Sequence, residues 1–484
     1  MTAVEEEFNQ LGDTPPEAFR KQLHELADWI ADYRETIAQR RVSPNIKPGT
    51  IVAALPNEPP EHAEAFDQIF ADVNELIIPN LLHWGHPQFA AYFGATSTAP
   101  GMLAEMISAA VNVNAMTWRT SPAATELEIV VLDWLRQWLK LPAEFRGVVY
   151  DTASISTMHA LAAAREEAAN SVRAHGLAGR KELPMFRVYT SDQAHSSVEK
   201  AAIALGLGER NVVRIESDAD FRLKIDNLKH TIAEDIRNGF KPLAVVATVG
   251  TTSTASVDPV PEIAAVCREH QMWLHVDAAY GGGLALLPEC EWVTSGWSEA
   301  DSLVINPHKM LFVPFDFSVL YLKNIERLRR VFALVPEYLR GDAEGAEINY
   351  MDYGVQLGRR FRAVKAWMVW RTFGRAGMAA RIREHLRLAK LLARWIDEAE
   401  GFELFAPVVM GVVCFRCVGS SGDIDKLNSA IVERINASGR AYVNQTKLRG
   451  RTVIRIGLGN ILTTEEHIRN VWSLIRACSD ELVQ

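Results

Sequence analysis

Between about residue 145 and residue 325 the chain repeats one pattern, short apolar runs separated by longer stretches of helical character. The runs are Val148 to Tyr150, Phe186 to Thr190, Val212 to Ile215, Leu243 to Val249, Trp273 to Val276, Ser302 to Ile305 and Val319 to Leu322. Runs this short and this rich in β-branched and aromatic residues read as buried strands. Seven strands alternating with helices predict an α/β fold with a mostly parallel sheet and helices on both of its faces. Ligands of such sheets gather in the loops beyond the carboxyl ends of the strands, so the search for chemistry begins there.

The flanks are patterned differently. Phe19, Leu23, Leu26, Ile30, Tyr33 and Ile37 recur in steps of three and four behind Pro15 and Pro16, which predicts an amphipathic helix. Its apolar stripe must cover either its own body or a second subunit. A proline-rich stretch follows, then a second amphipathic segment through Phe66, Ile69, Phe70, Val73 and Ile77. After about residue 375 a long helical stretch leads into strand, helix, strand and helix at Val412 to Val418, Ile424 to Ala437, Val453 to Ile456 and Glu465 to Ala477. The expected division is a helical segment over residues 1–94, a large sheet domain over 95–375 and a small C-terminal α/β domain over 376–484.

Several function classes drop out. No apolar run approaches the roughly 18 residues that cross a bilayer, and Glu5, Glu6 and Glu7 stand where a secretory leader is basic. A cytoplasmic protein with no membrane partner is expected. The net charge of −9 comes without a dense basic stripe, which argues against a nucleic-acid partner. Arg359, Arg360 and Arg362 read as a solvated or salt-bridged face. Five cysteines do not suggest a disulfide framework. Cys414 and Cys417 fall within one predicted strand, three positions apart and so on opposite faces, which disfavours a shared metal. His83 and His86 lack further ligands nearby, and a structural role is expected for both; no metal is predicted.

The polar residues that follow the strands carry the chemical argument. Ile305 leads into Asn306-Pro307-His308-Lys309, and Val276 into Asp277-Ala278-Ala279-Tyr280 and three glycines. A lysine desolvated at a sheet mouth becomes a neutral amine able to form a Schiff base with a carbonyl. If that carbonyl belongs to pyridoxal phosphate, the site needs a carboxylate on the pyridinium nitrogen, a flat group against the ring and an anion cradle. Asp277 can be the carboxylate and His195, after the Phe186 run, the flat group. Thr152-Ala153-Ser154, after the Val148 run, offers hydroxyls and the free N–H groups of a helix start.

The segment Asn306-Pro307-His308-Lys309 resembles the cofactor-lysine signature of the group II pyridoxal-phosphate decarboxylases, and the resemblance covers nearly the whole chain. It runs through Leu55-Pro56-Asn57-Glu58-Pro59-Pro60, His86-Pro87-Gln88-Phe89, Thr120 to Glu128, Asp192 to Ser197, Ala247 to Thr252, His275 to Tyr280 and Leu357 to Arg362. It implies the fold of the type I pyridoxal-phosphate enzymes, with a homodimer whose sites are shared between subunits. Residue by residue, it makes Lys309 the Schiff-base lysine, Asp277 the pyridinium partner and His195 the stacking imidazole. It adds Ala153, Ser154, Asn306 and His308 around the phosphate and Thr248 and Ala279 against the ring. Tyr338, in Pro336-Glu337-Tyr338-Leu339, matches the tyrosine that returns a proton to the reacting carbon.

The activity implied is α-decarboxylation of an L-amino acid to its amine and carbon dioxide. Trp84, Tyr92 and Phe93 resemble the family's side-chain pocket and point to an aromatic substrate. The residue after the cofactor lysine is Met310 where the family commonly has tryptophan, and Asn114 and Met116 stand at pocket positions that are apolar and partner-derived in the animal enzymes. The competing activity is that of an aldehyde synthase, which diverts the decarboxylated intermediate to oxygen. Retention of Tyr338 and His195 argues for the amine. A cofactor-binding scaffold without turnover fits poorly with an intact lysine, aspartate, histidine and tyrosine set.

Overall fold

The computed structural model of the chain describes residues 13–169, 171–334, 347–419 and 422–483. Among these residues the strands form one sheet of five and one of seven. β1 (Phe89–Ala90) belongs to the smaller sheet. The larger contains β2 (Arg146–Tyr150), β3 (Phe186–Ser191), β4 (Val212–Ile215), β5 (Lys241–Thr248), β6 (Trp273–Asp277), β7 (Ser302–Ile305) and β8 (Ser318–Leu322). Every one of these strands lies within two residues of its predicted bounds. Their order is β2-β8-β7-β6-β5-β3-β4, and β8 alone runs antiparallel to its neighbours.

The apolar runs are continuous because these strands are covered on both faces. All of β6, β7 and β8 and the last six residues of β5 are buried. Ala153–Ala168, the helix after β2, is alanine-rich, and Ala160 through Ala164 are buried on all sides between the sheet and its outer helices. Small side chains let that helix sit close to the strands, which brings its N-terminus to their carboxyl ends.

The smaller sheet adds β9 (Phe402–Leu404), β10 (Val412–Cys417), β11 (Tyr442–Leu448) and β12 (Arg451–Gly457) in the order β1-β11-β12-β10-β9. Ile424–Ser438 and Glu465–Val483 pack on it, and Phe415, Ile431, Ile435, Trp472 and Ile475 fill the space between. The helix Ala363–Asp397 breaks its regular dihedrals at Gly374 and serves both cores, with Ala366 and Trp370 in the larger and Leu388 and Ile396 in the smaller. The sequence reading missed β1, β9 and β11. β11 is half exposed and carries Asn444, Gln445, Thr446 and Lys447, so it lacks the apolar run that marks the others. Its turn, at Arg449 and Gly450, was missed with it; both have positive φ, the conformation of a two-residue hairpin into β12.

Cys414 donates to the carbonyl of Ser253 at 3.3 Å while Cys417 contacts the Ser479 hydroxyl at 3.0 Å, on the opposite face. The ring of His83 bonds the Tyr33 hydroxyl at 2.8 Å, and that of His86 accepts from the Gln88 amide at 3.0 Å. Pro16–Thr36 is helical, but none of it is buried; Trp29 reaches across to Asn74 and the edge of Phe70 in the second amphipathic segment. Of the basic cluster, Arg360 and Arg362 pair with Glu105 and Asp316, but Arg359 departs from a surface face. It is buried against Glu128 at 2.7 Å, because the Val149 and Ala115 carbonyls satisfy the rest of its guanidinium. No helix among the described residues is long and apolar enough to cross a membrane.

Candidate active site

A cavity of about 390 Å³ opens beyond the carboxyl ends of the large sheet. Five strands deliver its walls: β2 leads to Thr152, Ala153 and Ser154, β3 to His195, β5 to Thr248, β6 to Asp277 and Ala279, and β7 to Asn306, His308 and Lys309. Thr248 and Asp277 are register partners on adjacent strands, which sets their separation by sheet geometry. The Ala279 amide donates to Asp277 Oδ1 at 3.0 Å and fixes the carboxylate at the carboxyl end of its strand. A turn from Asn306 to Lys309, closed at 2.9 Å, aims the lysine at the same space.

Burial sets the electrostatics. Desolvation pushes the Lys309 ammonium below its usual range; the Asp277 carboxylate opposes that shift and the Arg455 guanidinium adds to it. Lys309 Nζ sits 4.9 Å from the centre of the Phe93 ring. His195 is exposed toward the cavity, yet desolvation lowers its pKa, with Asp277 opposing and Lys309 assisting. Its Nδ1 accepts from the Ser197 amide at 3.1 Å, so the neutral ring carries its proton on Nε2. His308 is pushed down to about 3, first by burial and then by Lys309, and its Nδ1 accepts from the Phe317 amide at 2.9 Å.

The cavity fits pyridoxal phosphate on grounds of its own. Ser197 Oγ, Thr248 Oγ1 and Asn306 Oδ1 are buried polar atoms with no partner among the described residues, and all three residues line it. Such groups are costly unless a ligand meets them. Thr152 caps the helix Ala153–Ala168 without using its hydroxyl to bond the first turn, so the amides of that turn remain available to an anion. A desolvated lysine and a fixed carboxylate stand in the same space, the donor set that an aldehyde and a pyridine nitrogen require.

Not all the predicted residues converge. Tyr92 and Phe93 line the cavity, whereas Trp84 stands behind Tyr92, stacked on it at 5.3 Å. Asn114 and Met116 lie outside it. Asn114 accepts from the Arg359 amide at 2.9 Å and borders a separate groove with Asn112 and Gly358. The Met116 carbonyl holds the Met351 amide at 3.0 Å. Tyr338 falls outside the described residues. Met310 is buried, and a Cβ on Gly283 would come within 2.6 Å of it, so the methionine packs behind the lysine and away from the cavity.

Sequence reasoning assigned no role to Ser197, Tyr280, Ser253, Asn444, Thr446 or Arg455, which also line the cavity. Tyr280 stacks on Phe93 at 3.8 Å. Arg455 was marked by a detectable signal, a charge inside the apolar run of β12. It is buried, and donates to the Ser253 carbonyl at 3.0 Å and the Tyr92 carbonyl at 2.7 Å. Asn444 sits on the strand that was missed.

A model of the pyridoxal-dependent decarboxylase conserved domain matches residues 48–418. The aromatic-L-amino-acid decarboxylase of Sus scrofa is 38% identical over 477 residues, 96% of this chain and 97% of that protein. Phenylacetaldehyde synthase of Arabidopsis thaliana is 35% identical over 473 residues, 95% of each chain. The crystal structure of Oryza sativa TDC with PLP and tryptamine covers 98% of this chain and 100% of its own, with a TM-score of 0.93 at 34% identity.

Proposed function

The chain belongs to the pyridoxal-dependent decarboxylase family, and from that premise we propose that it removes the α-carboxylate of an aromatic L-amino acid as carbon dioxide and releases the amine. The observation that carries this reading is the convergence of Lys309, Asp277 and His195 on one cavity that also holds partnerless buried polar atoms. Pyridoxal phosphate, when bound, supplies the conjugated ring that draws in the electron pair left by the departing carboxylate. Lys309 would hold the aldehyde carbon through Nζ, and desolvation lowers the pKa of its amine, which favours the nucleophilic form. Asp277 would keep a proton on the ring nitrogen. His195 would supply the flat group against the ring, with Thr248 and Ala279 lining the same space. Thr152, the amides of Ala153 and Ser154, Asn306 and His308 would hold the phosphate.

Tyr92 and Phe93 on the cavity wall, backed by Trp84, favour an aromatic side chain. The similar proteins of Sus scrofa and Oryza sativa support that class. By family resemblance Tyr338 returns the proton to the α-carbon. Its retention with His195 favours amine over aldehyde, although an aldehyde synthase is among the similar proteins. A homodimer with shared sites is supported by the apolar residues left uncovered on one copy. Leu103, Ile107 and Val111 recur at helical spacing and, like Phe315, Val355 and Leu357, are exposed. Five free buried cysteines fit a cytoplasmic setting. Borohydride reduction of the holoprotein, with peptide mapping, is expected to place the phosphopyridoxyl label on Lys309. Carbon dioxide and amine in equal amounts are expected from L-tryptophan, L-tyrosine or L-phenylalanine. Aldehyde and peroxide as the main products would overturn the amine assignment.

A further inference from the structure

Tyr92 has a φ of 53°, a left-handed conformation that a bulky residue adopts only when its surroundings hold it there. Among the described non-glycine residues with positive φ, it is the one that lines the cavity. The restraint comes from the small sheet. β1 pairs with β11 in parallel, Phe89 with Tyr442 and Ala90 with Val443, and then the chain leaves the ladder. Where the next backbone bond would form, the side chain of Asn444 takes over, its Oδ1 accepting from the Tyr92 amide. One residue's carbonyl further, Arg455 Nη1 donates to Tyr92 O at 2.7 Å. Gly457 makes the fit possible, since a Cβ there would lie 2.2 Å from that same carbonyl. Both backbone atoms of Tyr92 are therefore pinned, and the turn they define sends the Tyr92 ring onto Trp84 and the next ring, Phe93, onto Tyr280 beneath Lys309.

We propose that Asn444 is a specificity-determining positioning residue, which holds the Tyr92 turn so that Tyr92 and Phe93 present one fixed aromatic wall to the substrate side chain. This rests on the reading of the cavity as an aromatic amino-acid site. The Asn444 amide oxygen substitutes for the missing strand carbonyl, so a side chain without an acceptor releases the Tyr92 amide and lets the strained turn relax. An aspartate keeps the acceptor in the same place beside the Arg455 cation.

The test compares wild type, Asn444→Ala, Asn444→Asp and Gly457→Ala as holoenzymes, with L-tryptophan and L-phenylalanine as substrates and 3-phenylpropanoate, which lacks the α-amine, as a competitive inhibitor. Loss of one buried hydrogen bond and the turn it holds predicts a KM about tenfold higher for Asn444→Ala. The inhibition constant is expected to rise with it, while kcat and the labelling of Lys309 change little. Asn444→Asp is expected to recover most of the KM. Gly457→Ala, which pushes the Tyr92 carbonyl from the other side, is expected to raise KM in the same way and decides the matter if Asn444→Ala does not fold. A KM and inhibition constant within about twofold of wild type in the folded variants would overturn the proposal, as would an aspartate variant that behaves like the alanine one. Failure of the parent reading is seen separately, in a wild-type protein that turns over no aromatic amino acid, and removes this inference with it.

Discussion

Asp258 offers a stability measurement that reports on the cofactor wall. Its carboxylate is 2% exposed and accepts two backbone amides, Thr248 N on Oδ2 and Leu223 N on Oδ1, each at 2.8 Å. It thereby fixes the residue expected against the cofactor ring. Burial raises its pKa from 3.8 to about 7; the two amides oppose that rise, and the negative charges of Asp192 and Asp218 add to it. Between those values the folded chain holds a proton that the unfolded chain has released, so stability present below about pH 4 is lost as pH rises through about 7. The whole shift corresponds to ~4 kcal/mol, and roughly two-thirds of it, ~3 kcal/mol, accrues between pH 5 and pH 8. For 484 residues the unfolding entropy is about 1 kcal/mol/K, which converts that loss to roughly 3 °C in Tm. The Asp258→Asn variant cannot ionise at this position. It also sets an amide NH2 against one of the backbone donors, at a cost of ~1–3 kcal/mol that does not vary with pH. Calorimetric Tm values at one scan rate should therefore show the gap between Asp258→Asn and wild type moving by about 3 °C in the variant's favour from pH 5 to pH 8. A gap constant to within about 1 °C would mean that Asp258 is ionised throughout and that its two amide bonds outweigh its burial.

Lys309→Ala should bind no borohydride-fixed label and release no carbon dioxide above background; release at the wild-type rate would exclude the assignment of the lysine. Tyr338→Phe should retain the cofactor absorbance and lose amine formation, and an unaltered amine yield measured by chromatography would remove its proposed role. Arg359→Met strips the partner from the buried Glu128 carboxylate and should cost ~3–5 kcal/mol, several degrees in Tm, whereas adding Glu128→Gln should recover part of that loss. Equal Tm values for the single and double variants would show that the two charges do not depend on each other.

The large sheet and the cofactor end of the cavity were legible for the same reason. Strands buried on both faces must be apolar along their length, so Ser302–Ile305 and Ser318–Leu322 announce themselves, and the polar residues that follow the parallel strands mark the mouth of the sheet. Asp277 and Lys309 needed only that rule and the chemistry of a carbonyl. The substrate end obeys no such rule, because it is assembled by β11, a half-exposed strand whose residues alternate in burial. Asn444 and Thr446 look like loop residues until the pairing with β1 is known, since the information that makes β11 a strand lies at Phe89 and Ala90, more than three hundred positions earlier. The burial of Arg359 was missed for a related reason: a guanidinium in a cluster of three arginines reads as part of a surface face unless Glu128 and two distant carbonyls are seen to enclose it. Local pattern thus marks the residues that converge on the cavity from the large sheet, because one strand and its following loop suffice to deliver each of them. The Tyr92 wall instead depends on contacts between the first hundred residues and the last fifty, so under the proposal above a substitution at Asn444 or Gly457 should raise KM for aromatic substrates without touching a residue that the cofactor would recognise.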